Sequence, residues 1–145
     1  MNINALVVDD SGIMRKLVMR SLKEAELASF IFTEAKDGME GLEKFDPDKT
    51  DMMFVDWNMP NMNGIDFIKK VREAQKRYVP AVMITTESTM EKVEEALNEA
   101  GVDTFIVKPF TVDVLKSKLE PLFDKIAAAQ QNGGGFFSKL ANKLN

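Results

Sequence analysis

Apolar and polar positions along the chain follow two alternating periods. Residues 3–8 (INALVV) form a continuous apolar run, the pattern of a strand covered on both faces. From Ser11 the spacing changes. Met14, Val18, Leu22 and Ala25 recur at helical intervals, with Ile13 and Leu17 on the adjoining flank, and the pattern stops near Glu26. Residues 30–35 (FIFTEA) predict a second strand, and Asp37-Gly38 opens a brief helix carrying Met39, Leu42 and Phe45. Residues 47–50 are turn material, 51–55 predict the third strand, and 61–64 a loop. A helix over 65–74 lines up Ile65, Ile68 and Val71. Residues 80–85 (PAVMIT) predict the fourth strand, and Met90, Val93, Ala96, Leu97 and Ala100 a helix stopped by Gly101. Residues 104–107 predict the fifth strand, which Lys108-Pro109 breaks. Leu115, Leu119, Leu122, Phe123 and Ile126 mark a last amphipathic helix.

Five strands and five helices in strict alternation predict an α/β fold: a (βα)5, doubly wound, five-stranded parallel sheet with helices on both faces. Each connection is long enough for a crossover. This unit occupies residues 1–129. Residues 130–135 (QQNGGG) then predict a flexible spacer, and 136–145 (FFSKLANKLN) a short amphipathic tail. Phe136, Phe137, Leu140, Ala141 and Leu144 share one helical side of that tail. It carries two lysines and no acid, +2 against −6 for the remainder of a chain whose total is −4. An isolated helix this short is marginal in water. The tail therefore reads either as a docking peptide anchored by Phe136, Phe137, Leu140 and Leu144, or as a frayed terminus.

At 145 residues the chain holds one ordinary core, and 45% hydrophobic with 29% charged residues is a globular composition. The net negative charge argues against a nucleic-acid partner. The absence of both cysteine and histidine excludes disulfide scaffolds, Cys or His metal sites and Ser-His catalysis. Chemistry is left to carboxylates, lysine, hydroxyls, backbone groups or a hard metal. No apolar run reaches the roughly 18 residues of a membrane span, and the acidic first dozen residues do not make a signal peptide. The cytoplasm is the expected compartment.

In a parallel sheet of this class, ligands sit at the carboxyl ends of the strands. Read in order, those ends are Asp9-Asp10, Glu34, Asp56, Thr85-Thr86 and Lys108-Pro109. Crowded carboxylates raise one another's pKa unless a cation neutralises them. Without Cys or His, an oxygen-ligated ion fits, and Mg²⁺ fits best because it works with few carboxylates plus a phosphate. Lysine and threonine would hold two phosphoryl oxygens, so the rim as a set points to a phosphoryl clamp. Each residue alone also has a plainer reading. Asp9 or Asp10 serves as a helix cap, Asp56 and Lys108 as solvent-facing polar residues, and Thr85 as core filler bonded to backbone.

The spaced set VVDDS (7–11), FVDWNMPNMNG (54–64), MITTE (83–87) and FIVKPF (105–110) resembles the receiver domain of two-component response regulators, of the chemotaxis type, over about residues 3–128. The resemblance implies a flavodoxin-like receiver fold in which Asp56 is the phosphoacceptor, charged from the phosphohistidine of a sensor histidine kinase. It implies Mg²⁺ held by Asp10, by Asp9 through water, by Asp56, and by the backbone carbonyl of Asn58. Lys108 would bind the phosphoryl oxygen and Thr85 would close over it. Phe105 would turn inward as the switch aromatic, and the Lys108-Pro109 bond would be cis. The output face would be the helix near residues 90–100, the strand with Phe105 and the last helix. Asn58 and Glu87 resemble positions that tune dephosphorylation. Thr86 departs from the usual smaller residue, which bears on the same lifetime and on the movement of Phe105. The output would be a phosphorylation-dependent protein partner, such as the flagellar motor switch, with a phosphatase as a further partner. A phosphate sink or relay intermediate is the alternative role, and a small Mg²⁺-dependent phosphatase or phosphotransferase the alternative class. Asn58 stands two residues past Asp56 where such an enzyme usually has a second acid, and no long insertion could cover the rim, which favours a phosphoacceptor over a dedicated enzyme.

Overall fold

A computed structural model describes residues 1–131. The elements run β1 (Asn2–Val8), α1 (Gly12–Glu24), β2 (Ser29–Ala35), α2 (Gly38–Lys44), β3 (Met52–Val55), α3 (Gly64–Ala74), β4 (Ala81–Thr85), α4 (Met90–Glu94), β5 (Thr104–Val107) and α5 (Val112–Gln131). The alternation is the expected one. The five strands form a single parallel sheet in the order β2-β1-β3-β4-β5. Helix α5 runs two residues past the limit placed at residue 129, and the tail anchors Phe136, Phe137, Leu140 and Leu144 lie outside the described residues.

Alternating side chains feed two separate cores, one on each face of the sheet. On one face Leu6, Val8, Met53, Val55 and Met83 pack under α2 and α3 with Phe67, Ile68 and Val71. On the other, Ile3, Val7, Phe54, Val82 and Ile106 pack under α1 and α5 with Leu22, Leu115, Leu119 and Phe123. Strands β3 and β4 are buried throughout, which is why they read as unbroken apolar runs, while β2 at the sheet edge alternates. Helices begin on side-chain caps that sit just past the strands. Ser11, Asp37, Asn63 and Thr89 accept from the N–H three residues on, at 3.2, 2.8, 2.8 and 3.3 Å, and Thr111 does the same for Val114 at 3.2 Å. Packing between α2 and α3 is close enough that a Cβ on Gly41 would lie 2.7 Å from the buried Phe67 ring.

Two apolar stripes behave differently from their sequence pattern. The helix predicted through residue 100 becomes a π-helical turn over Glu95–Glu99, with the Ala100 N–H donating to the Glu95 carbonyl at 3.2 Å. The stripe is buried only in part. Ala96 and Ala100 are buried, whereas Met90 is 72% and Leu97 40% exposed. Ile13, on the flank of α1, is 83% exposed. Phe67→Ala is expected to lower stability by about 3–5 kcal/mol in urea denaturation, and Ile13→Ala by less than about 0.5 kcal/mol, because only the first vacates a filled core.

Candidate active site

The strand order reverses its direction of growth at β1, with β2 on one side and β3 on the other. The crevice outside the β1 and β3 carboxyl ends is the natural ligand position of such a sheet. Asp9 and Asp56 emerge at those two ends, and Lys108 emerges after β5. The first residue past each strand is still pinned by a neighbour. The Asp9 N–H donates to the Ala35 carbonyl at 3.1 Å, Asp56 N–H to Val8 at 2.9 Å and Lys108 N–H to Thr85 at 2.8 Å. The backbone origin of each charged side chain is therefore part of the sheet's own bonding.

Lys108 Nζ lies 2.9 Å from Asp9 Oδ2 and 3.5 Å from Asp56 Oδ2, with all three side chains largely buried. Asp9 Oδ1 accepts the Ser11 N–H at 2.9 Å, so Asp9 also secures the entry to α1. Asp56 Oδ1 accepts the N–H of Trp57 at 2.8 Å. Oδ2 is thus the Asp56 oxygen that faces the lysine. Burial pushes the Asp56 carboxyl above its ordinary value. Lys108 opposes that shift, Asp9 adds to it, and hydrogen bonds from Thr85 and Trp57 oppose it.

Carboxylate oxygens of Asp9, Asp10 and Asp56 lie within 4.8 Å of one another, with Asp10 the exposed member. An all-oxygen set of this spacing, with one buried carboxyl whose charge is disfavoured, fits a hard divalent cation. Thr85 is fully buried, and its hydroxyl accepts the Glu87 N–H at 3.4 Å. Glu87 in turn accepts from Asn58 Nδ2 at 2.9 Å, so the two residues expected near the water path form a bridge. Thr86 is exposed beside it. The Lys108-Pro109 bond is cis.

Several contributors escaped the sequence reading. Trp57 donates its N–H to Asp56 and is buried, its ring meeting Phe105 edge-on at 6.5 Å between centroids. Lys92, from α4, places its ammonium 4.8 Å from the Trp57 ring centroid. The only available signal was an aromatic directly after a strand-end acid. Arg15 donates to the Asp9 carbonyl at 2.6 Å and to Glu34 at 3.0 Å, giving the weak β2 end a supporting task. Gly64 is required by a close approach, because a Cβ there would fall 2.1 Å from the Asp56 carbonyl oxygen. Its place in NMNG read only as part of a loop.

A family model described as the response regulator receiver domain matches residues 5–120. Chemotaxis protein CheY1 of Helicobacter pylori is 46% identical over 117 residues, covering 79% of this chain and 92% of that protein. Chemotaxis protein CheY-3 of Vibrio cholerae is 38% identical over 126 residues, covering 86% and 95%. Among solved structures, Vibrio cholerae CheY4 matches at a TM-score of 0.72 with 34% identity, over 83% of this chain and 98% of its own. The CheX-CheY-BeF3-Mg²⁺ complex of Borrelia burgdorferi matches at 0.74 with 28% identity, over 83% and 89%.

Two outcomes follow from the geometry. Because folding raises the Asp56 pKa, the stability that this one group contributes is fully present below its unfolded value and is lost as pH rises through the raised pKa. Asp56→Asn is expected to melt above the native protein near neutral pH without divalent ions, the gap closing on acidification as the native carboxyl protonates. Equal melting temperatures across the titration would contradict the burial cost. Gly64→Ala is expected to destabilise by about 3 kcal/mol in chemical denaturation, since neither the Asp56 carbonyl nor the cap at Asn63 has room to yield.

Proposed function

The chain belongs to the response regulator receiver family, and from that premise we propose that Asp56 accepts a phosphoryl group from the phosphohistidine of a sensor histidine kinase. The observation that carries this reading is the buried Asp56 carboxylate at the β3 end, with Lys108 Nζ 3.5 Å from its free oxygen. Oδ1 is held by the Trp57 N–H, which leaves Oδ2 as the nucleophile. It attacks phosphorus, the P–N bond breaks, and the electron pair departs with the imidazole nitrogen, leaving an acyl phosphate on Asp56. The Lys108 ammonium neutralises charge on a phosphoryl oxygen, and the dry strand-end setting strengthens that attraction. Asp9, Asp10, Asp56 and the backbone carbonyl of Asn58 are the groups that would hold Mg²⁺. When bound, the ion supplies further charge neutralisation to the phosphoryl group.

Thr85 acts as the sensor. Its hydroxyl is drawn toward the new phosphoryl group, away from the Glu87 N–H that it accepts at 3.4 Å. The space vacated accommodates Phe105, already packed against Trp57. The change is then presented on α4, β5 and α5 as a local charge event read at a distance. The Asn58–Glu87 bridge stands across the approach of water to Asp56, with Thr86 beside it. These three residues set the lifetime of the acyl phosphate. The output is binding to a protein partner in the cytoplasm, with the flagellar motor switch the partner in keeping with chemotaxis relatives. The Borrelia burgdorferi relative was solved together with CheX, BeF3 and Mg²⁺, which supports a protein partner and magnesium for this chain too.

Intact mass after incubation with Mg²⁺ and acetyl phosphate should show one added phosphoryl group, lost in Asp56→Asn. Lys108→Met should slow its formation by about 10²-fold, the effect of removing one preorganised charge donor. An unmodified mass in the native protein, or an adduct that survives Asp56→Asn, overturns the assignment.

A further inference from the structure

An open apolar groove of about 510 Å³ runs between α4, β5 and α5, lined by Val93, Leu97, Phe105, Val107, Lys118 and Pro121. Leu97 and Val107 lie 40% and 42% exposed along it. The lining also includes Asp103 and Thr104, and the neighbouring α4 segment carries Glu91, Glu94, Glu95 and Glu99, which line a separate hollow. We propose that residues 136–145 of this same chain dock in this groove.

Three observations select this occupant. The first is pattern: Phe136, Leu140 and Leu144 repeat at intervals of four, with Phe137 alongside, which is the anchor spacing of a helix laid into an apolar groove. The second is charge. Lys139 and Lys143 are the only charged side chains of the segment, and residues 90–100, which supply one wall of the groove, carry Glu91, Glu94, Glu95 and Glu99 against Lys92, with Asp103 and Lys118 in the lining itself. The third is reach. From Gln131 back to Pro121 along α5 is roughly 15 Å at the helical rise per residue. The step from Gln131 to Phe136 spans up to about 17 Å when extended. Phe136 therefore arrives at the lower end of the groove, with Leu140 and Leu144 free to continue along it.

Tethering makes a weak contact sufficient. A short linker gives an effective concentration on the order of 1 mM, so an intrinsic Kd of about 0.1 mM leaves the groove roughly 90% occupied. A partner competing for the same face would then bind about 10-fold more weakly than it would to the open groove. The docking itself does not depend on phosphorylation.

The chain has no cysteine, so Ser138→Cys gives one attachment point for a nitroxide on the full, unphosphorylated protein. Amide signals of Val93, Leu97, Phe105, Val107 and Lys118 should be lost in the oxidised label and return on reduction. Phe137→Glu with Leu140→Glu should restore them with the label still oxidised. A mixture of isotope-labelled native protein with unlabelled spin-labelled protein should show no loss. Loss centred elsewhere, weak loss spread over the whole surface, or loss in the mixed sample (a second copy as occupant) each overturns the proposal. Because nothing is phosphorylated, a negative result leaves the Asp56 assignment standing, and a missing phosphoryl adduct leaves the docking standing.

Discussion

One ammonium group holds the rim of this molecule together: Lys108 Nζ at 2.9 Å from Asp9 and 3.5 Å from Asp56. Two buried carboxylates at adjacent strand ends repel, and desolvation disfavours each charge. Their coexistence needs a cation within the same dry crevice. The sheet supplies it from β5, which neighbours neither β1 nor β3, so the ion pair closes across the full width of the reacting edge. The compensation is incomplete, and Asp56 retains a raised pKa. That residual is useful. A carboxylate poorly satisfied by its own protein has more to gain from a divalent ion and from esterification by a phosphoryl group.

Constraints on backbone geometry follow from the same requirement. Asp56 can face Lys108 only if its peptide stays bonded to Val8, and the turn after it must fold back so tightly that Gly64 touches its carbonyl. Arg15 ties the Asp9 carbonyl to Glu34 across the opposite side. These contacts leave little freedom at the reacting end of the sheet. Movement is left to the elements that are less buried, namely the half-buried Phe105, the α4 segment with its π-helical turn, and the exposed rim of β5.

A physical route joins the two regions. Trp57 bonds Asp56 through its backbone and meets both Phe105 and Lys92 through its ring. A change in charge at Asp56 is thus felt one residue away by an aromatic that already touches the strand and the helix of the opposite face. The Thr85 hydroxyl provides the second connection, through the backbone of Glu87. The first of these connections ends at the groove bounded by α4, β5 and α5, because Phe105 lines it.

By itself the sequence determined the class of fold and most of the site. Unbroken apolar runs, helical stripes and caps are local signals, and the rule that ligands gather at strand carboxyl ends turned Asp9, Asp10, Asp56, Thr85 and Lys108 into one rim without any coordinates. Only tertiary structure decided which pairs meet: Lys108 with Asp9 more closely than with Asp56, Asn58 with Glu87, and Lys92 over Trp57. These contacts join residues far apart in the chain, and periodicity carries no information about such distances. The exposure of Met90 and Leu97 was equally invisible, because an apolar residue at helical spacing reads as core whether or not another element comes to cover it. Gly64 gives the sharpest contrast. Its letter suggested a loop, and only the fold placed the Asp56 carbonyl where a side chain would have to stand.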